Sequence, residues 1–329
     1  MMDFSKSLES ERDRVTKLFR RYERFIKKEF LLYLNTLKSE GSLREFRQLL
    51  EAGNLTDAAK FADENVLSFV SVLPNIFTFI GVAEAKAIDQ ALPVKLKQKV
   101  TVPIKFDPTL ERAMRVMLDL RNSMANDFRV DQQEALSHII STSYGAGASI
   151  KQSLDHFKRH IGLSVAQLRS LDNYAKLIST NSIDALNRAL RDRRFDRTII
   201  NAASRNVILS SAMQQRMLDR YRERLLQNRV NVIAKTSALS VLNLARHEAL
   251  QQAFETTGLD ESSVSRRWNT SMDGLARDSH RSMHRQVRGL NEPFVSGSGE
   301  LLMFPGDPSA PATERLNCRC SVITSFGTK

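Results

Sequence analysis

From Phe4 to Lys38 the apolar residues Val15, Leu18, Tyr22, Ile26, Phe30, Tyr33 and Leu37 recur at steps of three and four. Only an α-helix, with its 3.6 residues per turn, gathers such a series into one stripe. The same periodicity returns along most of the chain and narrows the expected fold to a mainly α protein. Punctuation agrees, because 13 glycines and 8 prolines in 329 residues are too few for a turn-rich β sandwich. The expected architecture is an elongated helical region over 1–98, a central helical region over 99–256 and a small α+β module over 257–329.

Shorter helices are predicted over Ser42–Ala52 and from Thr56 to about Leu92. Inside the second, Val66 to Ala83 holds no charged residue, a length borderline for the roughly 20 apolar residues of a membrane span. Ser68, Ser71, Pro74, Asn75 and Gly81 interrupt it, so it reads as a buried helical segment broken at Leu73–Pro74. A lipid- or partner-facing surface is the alternative, and no membrane span is expected. Lys99–Phe106 alternates Val100, Val102, Ile104 and Phe106 with polar residues or proline, as a short edge strand or an extended connector does. Asp107 and Pro108 suit the cap and first position of the next helix. Ser149 with Gln152, Ser164 with Gln167 and Ser211 with Gln214 each match the S-x-x-Q reciprocal cap. From Ser211 the pattern Met217, Tyr221, Leu225, Val230, Ala234 runs on to Leu250 and Phe254 as one long helix or a kinked pair.

The formal charge of +12 directs attention to polyanions. Arg12, Arg14, Arg20, Arg21, Arg24, Lys27 and Lys28 line the polar side of the first helix. The stretch from Arg188 to Arg229 adds Arg191, Arg193, Arg194, Arg197, Arg205, Arg216, Arg220, Arg222 and Arg224. Guanidinium groups suit phosphate, but no helix-turn-helix or zinc-finger spacing accompanies them. Any DNA contact is therefore expected to be non-specific and salt-sensitive. Asp192, Asp196, Asp219 and Glu223 are placed to pair with some of these arginines instead. The two cysteines, Cys318 and Cys320, are one residue apart, too close for an unstrained disulfide, which suits a reducing compartment such as a host cytoplasm. Met1–Arg14 is charged and lacks the order of a secretory signal, so export is not expected.

Two blocks resemble the phage Mu F-like minor head protein family, also known as head morphogenesis proteins. The first is Arg191-Asp192-Arg193-Arg194-Phe195-Asp196-Arg197, followed by Asp219-Arg220-Tyr221-Arg222-Glu223-Arg224 and by Ile233-Ala234-Lys235-Thr236. Lys235 and Ser237 stand where the family has Arg and Glu, and Asn243 and Arg246 continue its pattern. The second block runs Trp268-Asn269-Thr270, Asp273, Arg277, Ser279, His280, Met283, Gln286, Pro293-Phe294, Gly297, Gly299, Pro305-Gly306-Asp307-Pro308 and Asn317-Cys318-Arg319-Cys320. The resemblance covers roughly Ser149 to Ile323 and leaves the first hundred residues untouched. It implies a virion component inside the capsid near the portal vertex, assembled in the host cytoplasm. Its implied partners are the portal protein and packaged double-stranded DNA, with scaffolding or major capsid protein as further candidates. Head assembly and genome retention or ejection are the implied roles.

On this reading Arg191, Arg193, Arg194, Arg197, Arg220, Arg222 and Arg224 are candidates for DNA or portal contact. Trp268, Asp273, Arg277, His280, Asn317, Cys318 and Cys320 form a structural motif. His280 and His284 lie at i and i+4 upstream of the cysteine pair, and two imidazoles with two thiolates can hold a tetrahedral Zn²⁺. Against zinc, paired cysteines in structural sites are normally two to four residues apart; two small buried thiols with a hydrogen-bonded core histidine explain the pattern equally. A cofactor is accordingly not expected, with zinc kept open. No phosphate-cradling glycine loop, serine nucleophile elbow or carboxylate pair is evident, so no catalytic role is expected. The alternative is a nucleic-acid-processing or toxin-like enzyme that uses the Asp273–His284 cluster for proton transfer.

Overall fold

The computed structural model describes residues 4–272 and 274–327, most of them helical. Helix α1, Phe4–Leu37, buries Val15, Tyr22, Ile26, Phe30, Tyr33 and Leu37 along the anticipated stripe. Ser39 caps α2, Glu40–Glu51, and Asn54 caps α3, Leu55–Lys60. Helices α4, Asp63–Val70, and α5, Leu73–Ala91, divide the apolar segment at a turn over residues 71–72. Pro74 lies in the first turn of α5, where its missing N–H costs no hydrogen bond. Thr56 to Leu92 is therefore three helices. The stretch Val66–Ala91 is apolar and long enough to cross a membrane by composition alone, but it is two helices and its most apolar window is 44% buried. Ile76, Phe77 and Ile80 of α5 are buried, whereas Phe79 and Val82 are exposed.

A short helix α6, Val94–Lys97, leads into the segment 99–110, which forms no strand. Of the two readings, the extended connector holds, and its reason is tertiary. Phe106 lies across α5 at Gly81, where a Cβ would come within 2.4 Å of the ring, and packs edge-on against Phe77. Asp107 N–H donates to Gln252 Oε1 at 2.7 Å, and Gln252 Nε2 donates back to Asp107 O at 3.0 Å. One glutamine side chain thus satisfies the backbone groups that a neighbouring strand would have taken. Asp107 is not a helix cap either. Its carboxylate accepts from Thr109 N–H and Oγ1 in a local turn, and α7, Glu111–Thr142, begins later with Leu110 O accepting from Met114.

Helices α8, Ile150–His160, and α9, Val165–Ser179, open with the two reciprocal caps expected at Ser149/Gln152 and Ser164/Gln167. The third does not form. Ser210 Oγ accepts from Met213 N–H instead, and Gln214 Nε2 reaches Leu209 O. After α10, Asp196–Arg205, one continuous 47-residue helix α11 runs Ser211–Thr257. It stops where Gly258 takes φ +63°.

The closing segment holds β1 (Val264–Asn269), α12 (Asp278–Arg281), β2 (Val287–Arg288), β3 (Phe294–Val295), β4 (Leu301–Leu302), α13 (Ala312–Arg315) and β5 (Ser321–Phe326). Strand β1 lies between β2 and β5, antiparallel to both, with Trp268 opposite Val322, and β3 with β4 forms a separate hairpin. This is the small α+β module expected at 257–329.

Two compact units emerge, neither continuous in sequence: 1–29 with 70–124 and 232–329, and 30–69 with 125–231. They do not follow the three consecutive regions 1–98, 99–256 and 257–329, because α1, α7 and α11 each contribute to both. In the unit built on 125–231, Phe30, Phe69 and Phe128 meet edge-on at 5.1–5.4 Å and Tyr174 stacks near Tyr221. In the unit that contains the closing module, the core is Leu239, Trp268, Met283, Phe294, Leu302, Ala310, Cys318, Cys320 and Val322.

Candidate functional site

Thr236, Ser240, Asn243 and Arg246 follow one another at steps of four, three and three on α11, so they share a helix face. All four are buried and all four hold the closing module. Thr236 Oγ1 accepts from Asn317 N–H at 3.0 Å, and Ser240 Oγ donates to Gly306 O at 2.6 Å. Asn243 Nδ2 donates to Pro305 O at 2.8 Å, and Arg246 Nη1 donates to Val322 O at 3.1 Å. The Pro305–Pro308 segment is the turn expected of it, closed by Asp307, whose carboxylate accepts from Met303 and Ser309 N–H. Gly306 takes φ +79°, and a Cβ there would stand 3.2 Å from Ser240 N, so the turn can seat on α11 only with glycine. The end of the first sequence block, from Thr236 to Arg246, thus meets the second block in one contact.

Arg246 also anchors a buried ionic network. Its Nε lies 3.1 Å from Glu84 of α5 and its Nη2 lies 2.6 Å from Glu11 of α1, while Arg14 reaches the other Glu84 oxygen at 2.7 Å. Burial pushes the Glu11 carboxyl up, against the pull of Arg246. Arg266 of β1, which periodicity did not single out, is 2% exposed and donates to the carbonyls of Gly289, Glu292 and Met303. Its guanidinium lies over the Phe294 ring, and burial lowers its pKa to about 10. Trp268 is fully buried against Phe294 and His280.

Around that tryptophan the motif residues come together. His280 Nδ1 stands 3.5 Å from Cys318 Sγ and 3.4 Å from Cys320 Sγ. Its other nitrogen, Nε2, lies 2.7 Å from Glu314 Oε2. Burial works against the Glu314 carboxylate, but hydrogen bonds from Ser298, Ser279 and His280 outweigh it and hold the pKa below the ordinary value. The hydrogen bond from Cys318 does most to hold the Cys320 thiol down, to about 5, with His280 and Thr270 adding to it. The same contact, together with burial, pushes Cys318 up. Arg277 caps the arrangement by donating to the carbonyls of Glu314 and Leu316. Asn317 adopts the left-handed φ of +52° that turns the chain into the cysteine pair.

His284 is not a member of this cluster. Helix α12 ends at Arg281, so the i, i+4 relation to His280 is not helical, and His284 Nδ1 accepts from Thr270 N–H at 3.2 Å instead. Asp273 lies outside the described residues. Glu314, which sequence reasoning missed, takes the place behind the imidazole; 34 residues separate it from His280 and no periodic signal joins them.

The arginine candidates divide. Arg191 makes a two-pronged pair with Asp196 at 2.9 Å, and Arg194 pairs with Asp192. Arg220 pairs with Glu223, Arg222 with Asp219, and Arg224 donates to Arg191 O while lying 3.8 Å from Asp192. Those arginines shape their own loop and helix surface. Arg193, Arg197 and Arg216 are exposed and make no ion pair among the described residues. Arg216 lines a shallow depression of about 400 Å³ together with Arg194, Phe195, Asp219 and Arg220.

Residues 181–323 match the family described as phage Mu protein F like protein. The match starts later than the resemblance read from Ser149, and it includes the arginine loop, α10, α11 and the closing module. The uncharacterized protein YqbB of Bacillus subtilis (strain 168) is 30% identical over 97 residues. That segment is 29% of this chain and 30% of YqbB, so the chain spans less than a third of that relative. No solved structure matches.

Proposed function

We propose, from the match of residues 181–323 to the family described as phage Mu protein F like protein, that this chain is a head-morphogenesis protein, a minor head protein of a tailed bacteriophage. In this reading it resides inside the capsid beside the portal, contacts packaged double-stranded DNA without sequence preference, and catalyses no reaction. It serves head assembly and the retention or ejection of the genome, with the portal protein as its main protein partner.

The family match carries the assignment. Support for a non-catalytic role comes from what the motif residues touch. Thr236, Ser240, Asn243, Arg246, Arg266 and Arg277 are engaged with backbone carbonyls, backbone N–H groups or buried carboxylates of the same unit. His280, the proton shuttle an enzyme would need, is 1% exposed, whereas a general acid or base must come within hydrogen-bond reach of a substrate. Support for polyanion contact comes from the exposed arginines Arg193, Arg197 and Arg216 and the net charge of +12.

The test is mass spectrometry of purified virions followed by cryo-EM of the portal vertex. The expected result is this chain in the virion, with density at the portal and against the innermost DNA. Virions that lack the chain would overturn the reading. So would purified protein that cleaves nucleic acid and loses that activity in His280→Ala and His284→Ala, because the Asp273–His284 enzyme would then take its place.

A further inference from the structure

His280 Nδ1, Cys318 Sγ and Cys320 Sγ converge on one point, with Thr270 Oγ1 3.7 Å from Cys320 Sγ on its outer side. A neutral imidazole carries one lone pair, so Nδ1 can accept one S–H and no more. Here two sulfurs stand at nearly the same distance from it, 3.5 and 3.4 Å. A tetrahedral zinc ion with Zn–N near 2.0 Å and Zn–S near 2.3 Å sets each nitrogen–sulfur edge at about 3.5 Å. All three ligand atoms lie within 4.8 Å of one another, and all three residues are buried.

The outer contacts agree. The Glu314 carboxylate, with Oε2 2.7 Å from Nε2, favours the imidazole proton on that side by its negative charge, which leaves the Nδ1 lone pair for the sulfurs. Carboxylates commonly occupy this place behind metal-bound histidines, orienting the ring and raising its basicity. Glu314 is itself fixed by Ser279 Oγ at 3.1 Å and Ser298 Oγ at 2.7 Å. Gly297 keeps this support close: its N–H donates to Ser279 O, and a Cβ would stand 3.1 Å from Ser279 Cα. The single residue between the cysteines ceases to be an objection, because the chain at 318–320 is irregular and alternates buried, exposed, buried. In such a segment residues i and i+2 share a side, so no zinc-knuckle turn is required.

We propose that His280 Nδ1, Cys318 Sγ and Cys320 Sγ are the protein ligands of one zinc ion, with a water molecule as the fourth ligand and Glu314 as a positioning residue. The ion ties α12 to the segment entering β5. That link matters because β2, β3 and β4 are two residues long, and small units with little regular structure commonly depend on a metal or a disulfide for stability. The inference does not depend on the head-protein reading.

The full chain, purified without chelators, is expected to carry one zinc per molecule by elemental analysis. Zinc-edge X-ray absorption is expected to show two sulfur and two nitrogen or oxygen neighbours. Replacing zinc by Co²⁺ is expected to give thiolate-to-cobalt charge transfer and tetrahedral ligand-field bands that saturate at one equivalent. Cys318→Ser and Cys320→Ser should each abolish the charge-transfer signature or halve it. Either serine variant can fail to fold, so Glu314→Gln supplies an independent measurement: metal affinity falls about 10- to 100-fold while the cobalt bands stay tetrahedral. A folded wild-type chain that contains no metal, gives no cobalt–thiolate band and melts at the same temperature with and without chelator would overturn the proposal. Bound zinc without sulfur neighbours would overturn it as well.

Discussion

Arginine does two kinds of work in this chain, in different proportions in the two units; in the unit built on residues 125–231 Arg229, buried and paired with Asp131, is the exception to a mostly local pattern. In the unit built on residues 125–231, Arg191, Arg194, Arg220, Arg222 and Arg224 form short-range pairs with carboxylates a few residues away or around the same loop. Arg193, Arg197 and Arg216 are left facing solvent. In the unit containing 232–329, Arg246 and Arg266 are 6% and 2% exposed and join elements that are far apart in sequence. Arg246 alone links α11 to Glu84, Glu11 and the carbonyl of Val322. The contrast teaches that a positive composition has two physical meanings. Exposed guanidinium groups are an electrostatic surface, worth little to stability and much to a polyanion. Buried ones are framework, and removing them leaves unpaired charge in the core.

The sharpest way to break the comparison is Arg246→Ala. It strands Glu11 and leaves the buried Glu84 with Arg14 alone, and the expected loss is about 3–5 kcal/mol in urea unfolding. Adding Glu84→Gln and Glu11→Gln to the variant should recover part of that loss. If Arg246→Ala alone costs under about 1 kcal/mol, the network is no more than a surface pair and the contrast fails.

The next effect comes from pH and is read per unit of acidification. His247, next to Arg246 on α11, is held neutral: burial, with help from Arg266 and Arg112, lowers its pKa to about 3. Its folded value lies below the unfolded one near 6.5, so its contribution is complete above pH 6.5 and is lost as pH falls from 6.5 towards 3. The slope approaches about 1.4 kcal/mol per pH unit within that window. A His247→Phe chain should show a shallower loss over the same range; an identical slope would mean that this imidazole is not the group responsible.

The next effect belongs to the unit built on residues 125–231 and tests a feature that is local. Ser164→Ala removes the reciprocal cap of α9, in which Ser164 Oγ accepts from Gln167 N–H and Gln167 Oε1 accepts from Ser164 N–H. The expected cost is about 1 kcal/mol, read as a shift in the unfolding midpoint at unchanged slope.

What could be read from the sequence follows the same local-versus-distant division. The stripe of α1 and the caps at Ser149 and Ser164 each depend on residues within a turn or two of one another, where periodicity and capping chemistry apply. The misreadings at Asp107 and Ser211 arose where a local signal competed with another partner. Gln252, 145 positions away, takes the backbone of Asp107; Ser210, one position earlier, takes the cap from Ser211. The cluster was legible in its histidine and cysteines and illegible in its supports. His280, Cys318 and Cys320 are visible as metal-binding residue types, whereas Glu314 and Arg266 are an ordinary glutamate and arginine until the fold buries them. His284 misled because its spacing carries meaning only on a helix, and α12 has ended by then.

The smallest stability effect is also the one that most directly separates the two kinds of arginine. Replacing Arg193, Arg197 and Arg216 together by Ala removes three exposed charges that make no ion pair among the described residues. Unfolding free energy should stay within about 0.5 kcal/mol of the parent. Binding to random-sequence duplex DNA should weaken at every sequence alike. If all three touch phosphate, the slope of log affinity against log salt should become shallower by nearly three, each contact contributing about 0.9. Arg191→Ala should do the reverse, disturbing the loop that its pairing with Asp196 holds while leaving the salt slope nearly intact. If the triple variant keeps the parent's salt slope, those arginines face something other than DNA, and the portal becomes the partner to test against this surface.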